Sequence, residues 1–311
     1  MTEDTAVRVE HNQSAVPSTA PLVSIGLPVR NGARTLASAV QSVLSQDYER
    51  LELVISDNAS TDETEELCRE LACADKRIVY HRQVTNVGLL RNFVQTLSLA
   101  KGTFFRWMGD DDWMAPSYVS RCLEVFRADS RLILVTTQQS YVRPDGSTYA
   151  VEFSDKDFYS DDPIHRFEKL IAYIVSGAVP VDPLYGMARR SSLARIERRN
   201  MIREDEIFAL MLTLAGPWGD VPEVLARRQM RDYGVAATAR YLGVPMWQAH
   251  IPTIVECWEL LRLLQAEQIT PSQRRRARIA LGRLFVGRHY RTLTHRVGRL
   301  VGLVRPAALA S

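Results

Sequence analysis

At 311 residues, of which 46% are hydrophobic and 24% charged, the chain is long enough for a sizeable core and has the composition of a globular protein. Its net charge of +3 is uneven, because ten arginines and no acidic residue follow Pro271, which leaves about −7 on the rest. The four cysteines contain no CxxC pair, which favours reduced thiols over a disulfide framework or a zinc site, and no apolar run approaches the roughly 18 residues that span a bilayer.

Residues 1–20 are rich in Ser, Thr, Ala and Pro and are predicted to be a disordered leader without the basic patch and apolar core of a signal peptide. The apolar run 23–29 is typical of a buried strand, and Asn31-Gly32 is a turn signal. Apolar residues at helical spacing then predict a helix over 35–44.

A second strand is predicted over 51–56. Ser60 and Glu63 have the spacing of a capping box, with Ser60 as N-cap of the next helix. A third strand over 78–83 and a third helix over 88–99 follow.

The fourth predicted strand, 103–108, is followed by three consecutive carboxylates, Asp110, Asp111 and Asp112. So much negative charge at one place is costly unless a cation neutralises it, and a hard divalent ion with oxygen ligands does this best. A solvated acidic loop is the simpler interpretation of such a run.

This alternation of strands and helices predicts an α/β fold with a doubly wound, mostly parallel sheet and helices on both faces. Ligands bind outside the carboxyl ends of the strands in such sheets. Asp57, Asn86 and the three acids all follow predicted strand ends, so the sequence places a polar site at that edge.

The second half of the chain alternates less regularly. Further strands are predicted over 132–137, 184–190 and 224–230, and further helices over 117–128 and 204–214. The polar segment 154–162 is predicted to be a loop that moves over a site. From residue 245 onward the pattern is helical.

Four segments occur in an order and at a spacing that are specific together, although each is weak alone. They are VSIGLPVRNG (23–32), LVISDNASTD (53–62), NVGLLRN (86–92) and WMGDDDW (107–113). In these segments the chain resembles the inverting family-2 glycosyltransferases, whose nucleotide-sugar-binding fold is called GT-A. The resemblance covers residues 22–230.

The resemblance implies a GT-A catalytic domain over 21–235, followed by a helical, basic C-terminal extension over 236–311. It also implies an activity: transfer of one sugar, with inversion, from a UDP- or dTDP-linked donor to a hydroxyl group during glycan or polysaccharide synthesis.

For the donor, the resemblance implies that Asp57 binds the N–H of the base, although a cap on the next turn is an alternative role. Pro28 and Asn31 are implied to shape the base-binding loop. Arg30 stands where the family usually has an aromatic residue that stacks on the base, and a guanidinium plane can stack as well. A plain surface position is the alternative for Arg30.

Three residues match the family's stretch near the diphosphate and base: Asn86, Gly88 and Arg91. A guanidinium fits the geometry of a phosphate, so Arg91 is a candidate phosphate ligand. Simple solvation on a helix surface is the alternative for Arg91.

The acidic motif of the family binds Mn²⁺ or Mg²⁺, which neutralises the diphosphate leaving group. The usual acid-x-acid spacing fits Asp110 and Asp112. Asp112 is the preferred direct ligand, with Asp110 and Asp111 expected to contact ribose, sugar or metal-bound water.

The family's catalytic base lies in an acidic pair that opens a helix, and here Asp205 is the preferred base, with Glu204 and Glu206 as alternatives. Stabilisation of the helix dipole is the competing role for these acids. Tyr185, Trp113 and Glu206 are candidates for the acceptor side. For Trp107 a role in the core is favoured over sugar stacking.

The tail has apolar residues at helical spacing over 293–304, with arginines between them. Such a helix can lie on an anionic membrane or pack on the catalytic domain. The resemblance implies a glycan or lipid-linked hydroxyl as the acceptor. The expected location is cytoplasmic, and binding to the inner face of the membrane is an option that depends on this tail. The tail has no recognisable nucleic-acid-binding fold, so no such partner is expected.

Two other functions compete with glycosyl transfer. A catalytically silent sugar-nucleotide-binding scaffold would bind UDP without turnover. A sugar nucleotidyltransferase would need a Gly-rich, basic loop after the first strand, whereas residues 27–32 contain a single glycine.

Overall fold

The computed structural model describes residues 20–151, 154–177, 183–230 and 234–300, with side chains up to residue 290. The strands in these ranges are β1 (Val23–Val29), β2 (Leu51–Asp57), β3 (Ile78–Arg82), β4 (Phe104–Trp107), β5 (Trp113–Met114), β6 (Leu134–Val142), β7 (Thr148–Val151), β8 (Met187–Arg189) and β9 (Trp218–Gln229).

The helices are α1 (Leu36–Leu44), α2 (Thr64–Ala74), α3 (Leu89–Leu99), α4 (Tyr118–Ala128), α5 (Pro163–Ser176), α6 (Arg190–Leu193), α7 (Glu204–Ala215), α8 (Val235–Leu242), α9 (Trp247–His250), α10 (Pro252–Ala266) and α11 (Pro271–Leu300).

The strands form one sheet in the order β3-β2-β1-β4-β8-β6-β9-β5, with β7 paired to β6. The first four strands are parallel, as predicted. The remaining part is mixed: β8 runs antiparallel to both β4 and β6, β6 is parallel to β9, and β5 is antiparallel to β9.

Side chains alternate between the two faces of this sheet and build a core on each. Val23, Ile25 and Leu27 of β1 pack on the face covered by α1, α2 and α4. Phe105 and Trp107 of β4 pack on the opposite face, under α3, α5 and α7. Helices therefore cover both faces, as the alternating pattern predicts.

The parallel register brings the carboxyl ends of β1, β2 and β4 to one edge. Val29 lies opposite Asp57, and the last bond from β4 to β1 is donated by the N–H of Met108 to the carbonyl of Gly26. Pro28 is tolerated in this central strand because its missing N–H falls beyond the end of that ladder. The acids at 110–112 follow directly.

Some local predictions are wrong. The expected capping box does not form: α2 starts at Thr64, and neither Ser60 nor Glu63 caps it through a side chain. The predicted mobile loop 154–162 contains a 3₁₀ turn, Lys156–Tyr159, whose Phe158 is buried and stacks on Trp218.

The strand predicted to begin at residue 224 starts six residues earlier, at Trp218, because Gly219 and Val221 already pair with β6.

The C-terminal helices pack on the α/β body. Ala277, Leu281 and Leu284 of α11 are buried in the core that α5 and α10 share. Within the described residues, no helix is both long enough and apolar enough to cross a membrane. The side chains over 293–304, on which the amphipathic-tail prediction rests, lie outside the described residues.

A test of this packing is Gly26→Ala in β1. A methyl group here would overlap the Phe105 ring and lie 2.7 Å from Thr96 Oγ1, so the free energy of unfolding should fall by about 1–3 kcal/mol. Gly282→Ala is the control: it meets no atom within 4 Å in α11 and should gain about 0.5–1 kcal/mol. Urea denaturation measures both, and an unchanged midpoint for Gly26→Ala would contradict the packing.

Candidate active site

A cavity of about 800 Å³ opens at the carboxyl ends of the parallel strands. This volume is typical of small-molecule sites. Its charged lining residues come from five separate parts of the chain: Arg30 after β1, Asp110, Asp111 and Asp112 after β4, Asp205 and Glu206 at the start of α7, Arg228 in β9 and Arg288 in α11.

The three acids after β4 all line the cavity, but they differ in their surroundings. Asp110 Oδ2 accepts a hydrogen bond from Thr35 Oγ1 at 2.9 Å. It also lies so close to Gly32 that a Cβ there would be 2.6 Å from the carboxylate oxygen. The turn glycine predicted from sequence therefore makes room for Asp110.

Asp112 is buried, and its Oδ2 accepts the N–H of Gly109 at 2.9 Å. Arg228 Nε lies 3.6 Å from the same oxygen. Burial raises the pKa of Asp112, an effect that the Arg228 guanidinium partly offsets. Asp112 thus lies next to a cation of the protein, the Arg228 guanidinium.

The loop after β1 is fixed by the loop after β2. Asn31 has a positive φ of 56°; its N–H donates to Ser60 Oγ at 2.9 Å, and its Oδ1 accepts the N–H of Thr61 at 2.8 Å. The N–H of Gly32 donates to Thr64 Oγ1 at 2.9 Å. The hydroxyls near the predicted capping box thus hold the neighbouring loop, which places Pro28, Arg30 and Asn31 on the cavity wall.

Asp57 is fully buried and does not line the cavity. Its Oδ1 accepts the N–H of Ser60 at 2.9 Å and the Ser60 hydroxyl at 2.5 Å. Its Oδ2 accepts from the Tyr80 hydroxyl at 3.1 Å and lies 3.4 Å from Arg82 Nε. In this arrangement Asp57 ties together the loop that borders the donor side of the cavity.

Asn58, the next residue, does line the cavity. Its amide nitrogen donates to Asn86 Oδ1 at 2.8 Å and to the carbonyl of Gly88 at 3.3 Å. Asn86 and Gly88 therefore lie outside the lining, where they hold Asn58 in place. Arg91 is exposed on α3 and is not part of the lining.

The acids at the start of α7 differ in their partners and in their position relative to the cavity. Glu204 makes a two-point ion pair with Arg198, at 2.5 and 2.7 Å, and does not line the cavity. Asp205 lines the cavity and is exposed. Its Oδ1 accepts the N–H of Glu206 at 3.0 Å.

Glu206 also lines the cavity and accepts a hydrogen bond from Arg288 of α11. Behind this pair, Glu256 of α10 is fully buried and accepts from Arg203 Nη1 at 2.8 Å. Arg288 Nη2 lies 3.6 Å from Glu256 Oε1. Burial and the Glu256 carboxylate raise the pKa of Glu206, whereas Arg288 and Arg203 oppose this effect.

Arg203 occupies the position directly before α7 with a positive φ of 60°. The two acids and two arginines thus form a charge cluster (Arg203, Glu206, Glu256 and Arg288) around the buried Glu256, and this cluster joins the start of α7 to α10 and α11.

Aromatic rings line the other side of the cavity. Tyr141 and Tyr149 stack with their centroids 5.5 Å apart, and the Tyr185 ring lies 3.4 Å from the Arg228 guanidinium carbon. Trp113 contacts Arg227 and lies outside the lining. Trp107 is buried in the core, as favoured from sequence.

The cavity thus unites Pro28, Arg30, Asn31, the three acids after β4, Tyr185, Asp205 and Glu206 among the residues predicted from sequence. It leaves Asp57, Asn86, Gly88, Arg91, Trp113 and Glu204 outside its lining. Sequence reasoning missed Arg228, Arg288, Tyr141, Tyr149 and Tyr241, which lie in no recognisable motif.

Comparison with known proteins identifies the class. The family model for glycosyl transferase family 2 matches residues 24–193, which is more than half of the chain, and the chain belongs to this family. The crystal structure of S. aureus TarS 1-349 in complex with UDP-GlcNAc has a similar fold, with a TM-score of 0.62, 13% identity, and coverage of 85% of this chain and 72% of that chain.

Curated relatives share parts of the sequence. The chain is 33% identical over 138 residues to the chondroitin synthase of Pasteurella multocida (strain Pm70), which is 44% of this chain and 14% of that protein. It is 23% identical over 251 residues to EpsH of Bacillus subtilis (strain 168), which is 77% of this chain and 64% of EpsH. The chain spans less than two thirds of each of these relatives.

The charge cluster predicts a large effect for Glu256→Gln. This change removes the buried carboxylate that pairs with Arg203 at 2.8 Å and lies 3.6 Å from Arg288, so the free energy of unfolding should fall by about 3–5 kcal/mol. Guanidinium denaturation is the measurement. Glu70→Gln, on the exposed side of α2, serves as the control and should stay within about 0.5 kcal/mol of the wild type. Similar losses in the two variants would mean that the cluster adds no stability.

Proposed function

We propose that this chain transfers one sugar from a nucleoside-diphosphate sugar to a hydroxyl acceptor, with inversion at the anomeric carbon. The observation that carries the proposal is the meeting of two acidic groups in one cavity: Asp110 to Asp112 after β4 and Asp205 at the start of α7. Asp110 to Asp112 suit the binding of a diphosphate with its cation. Asp205 suits an acceptor hydroxyl, which must lose a proton.

On the donor side, Pro28, Arg30, Asn31 and Asn58 form the wall where the nucleoside would bind. The Arg30 guanidinium is proposed to stack on the base. Asp57 is proposed to fix this wall, since direct contact of its carboxylate with the base would require Tyr80 or Arg82 to give way.

The remaining donor-side predictions are kept in the proposal. Asn86 and Gly88 act through Asn58, which they hold in place. Arg91 is proposed to reach a phosphate over the rim of the cavity.

The residues after β4 fit Mn²⁺ or Mg²⁺, because all three supply carboxylate oxygens to the cavity. Asp110 and Asp112 are proposed to hold the ion, with Asp111 beside them. Among the described residues, no group of three Asp, Glu, His or Cys side chains could hold an ion alone, so water and the donor diphosphate would complete its ligands. When bound, the ion would neutralise charge on the departing diphosphate.

The net negative charge of the cavity lining also favours the binding of a cation. Five carboxylates and three guanidinium groups line it, and a diphosphate adds further negative charge. Arg228 already lies beside Asp112, and Arg288 beside Glu206. We propose that these two arginines keep the acids in place and that the divalent ion compensates the donor.

In the proposed reaction, the acceptor hydroxyl oxygen forms a bond to the anomeric carbon on the side opposite the diphosphate. The bond between that carbon and the diphosphate oxygen breaks, and its electron pair leaves with the diphosphate. Asp205 takes the hydroxyl proton, because it is the exposed acid of α7 and Glu204 is held by Arg198. Arg288 holds Glu206 next to it as a positioning residue.

The acceptor is proposed to be a glycan hydroxyl, free or lipid-linked, in polysaccharide synthesis. Tyr141, Tyr149 and Tyr185 give the cavity an aromatic wall against which a sugar can pack, and relatives that include a chondroitin synthase support this choice. Trp113 is proposed to contact the acceptor from outside the cavity. Free thiols at all four cysteines support a cytoplasmic location.

The central prediction is that Asp205→Asn lowers kcat for transfer by about 10²–10⁴-fold, because the hydroxyl proton loses its acceptor. The affinity for the donor should stay unchanged. The measurement combines sugar transfer, screened over a panel of nucleotide-sugars, with direct donor binding.

Glu206→Gln is the comparison variant for this test. If Asp205→Asn turned over normally and Glu206→Gln did not, the base would be Glu206. Donor binding without transfer or hydrolysis in the wild type would instead favour the silent scaffold.

A further inference from the structure

The outer face of α10 is apolar. Ile254, Trp258 and Leu261 are spaced four and three residues apart, so they lie on one side of the helix, and all three are exposed. Trp258 has 59% of its surface exposed and Trp247, in α9, has 55%. We call the full set the apolar stripe: Tyr241, Met246, Trp247, Ile251, Ile254, Trp258 and Leu261.

The inner face of the same helix carries its acids. Glu256 and Glu259 are buried, the first paired with Arg203 at 2.8 Å and the second with Arg262 at 2.6 Å. A helix on the surface of a globular protein normally has the opposite arrangement, with apolar residues inside and charges outside. Exposed apolar side chains grouped in this way are typical of an interaction site.

The exposed charge of the C-terminal helices is basic. Between residues 234 and 290 the exposed side chains among Asp, Glu, Lys and Arg are all arginines, namely Arg240, Arg275, Arg278 and Arg283. The three acids in this range are Glu256 and Glu259, both buried, and Glu267, which is half-buried. Whatever covers the apolar stripe must therefore accept hydrocarbon and tryptophan side chains and also offer negative charge.

An anionic bilayer surface meets both requirements. Apolar side chains of a surface helix enter the boundary between headgroups and acyl chains, where tryptophan is favoured, and arginines bind the anionic headgroups. We propose that the apolar stripe of α8, α9 and α10 docks the protein on an anionic membrane, with Trp247 and Trp258 inserted.

The position of the stripe relates it to the active site. Tyr241 belongs to the stripe and also lines the cavity, so docking places the cavity mouth at the lipid surface. If the proposed glycosyl transfer is correct, this geometry suits an acceptor sugar carried on a lipid. The docking itself is tested without any turnover.

The test is co-sedimentation of the full chain, at low salt, with vesicles that contain phosphatidylglycerol or with vesicles of phosphatidylcholine alone. The wild type should partition to the anionic vesicles at least roughly tenfold better, because arginines add to the apolar contribution. The double variant Trp247→Ser/Trp258→Ser should lose roughly tenfold or more of this partitioning.

Val84→Ser is the matched control, because Val84 is 96% exposed and lies far along the chain, after β3. It should sediment like the wild type. Acyl-brominated lipids give a second readout: they should quench the tryptophan fluorescence of the wild type on binding, and much less that of the double variant. Binding of UDP by the double variant should be unchanged, which separates a docking defect from a damaged cavity.

Three outcomes would overturn the proposal. The wild type could fail to bind anionic vesicles, or the double variant could bind them as well as the wild type, which would assign binding to the tail after residue 290. Sedimentation velocity could also show a dimer of the wild type that the tryptophan changes dissociate, without vesicle binding. That result would assign the apolar stripe to a second copy of the chain.

Discussion

Repulsion among carboxylates is the constraint on which this structure depends. The parallel register of β1, β2 and β4 brings Asp110, Asp111 and Asp112 to the same cavity as Asp205 and Glu206. Carboxylates that line one cavity repel one another, and more strongly away from bulk water, so nearby cations stabilise them. Arg228 from β9 serves Asp112 and Arg288 from α11 serves Glu206, and for this reason the distal part of the chain is built into the site.

The parallel half of the fold could be predicted from sequence because each of its strands is a short apolar run bounded by turn residues. In the mixed half, the sequence located β6, β8 and the second part of β9, but it predicted neither β5 nor the antiparallel pairing, because the signals there are weaker. β5 has two residues and β8 has three, and β9 contains polar positions such as Asp220 and Glu223 that interrupt its apolar pattern. These strands exist because they pair with β4, β6 and each other, which is a tertiary effect.

The residues of the site also fall into two groups, those that the sequence identified and those that only the fold reveals. Acids that follow a strand or open a helix were found from local motifs, whereas Arg228, Arg288 and Tyr241 become part of the site only through folding. Local rules also misassigned Ser60, whose hydroxyl binds Asp57 and the Asn31 N–H instead of capping α2. Nor could the sequence separate Glu204 from Asp205, because Arg198, which pairs with Glu204, lies outside the motif, and only the fold shows that Asp205 lines the cavity.

The central claim is that the cavity binds a nucleoside diphosphate together with a divalent cation. Calorimetric titration of UDP into the protein, first with Mn²⁺ and then with EDTA, tests it most directly. The account predicts binding at the cavity that is at least about tenfold tighter with Mn²⁺, a difference of about 1.4 kcal/mol, and that Asp110→Asn removes this difference. Equal affinity with and without Mn²⁺, or no binding of any nucleoside diphosphate, would contradict it.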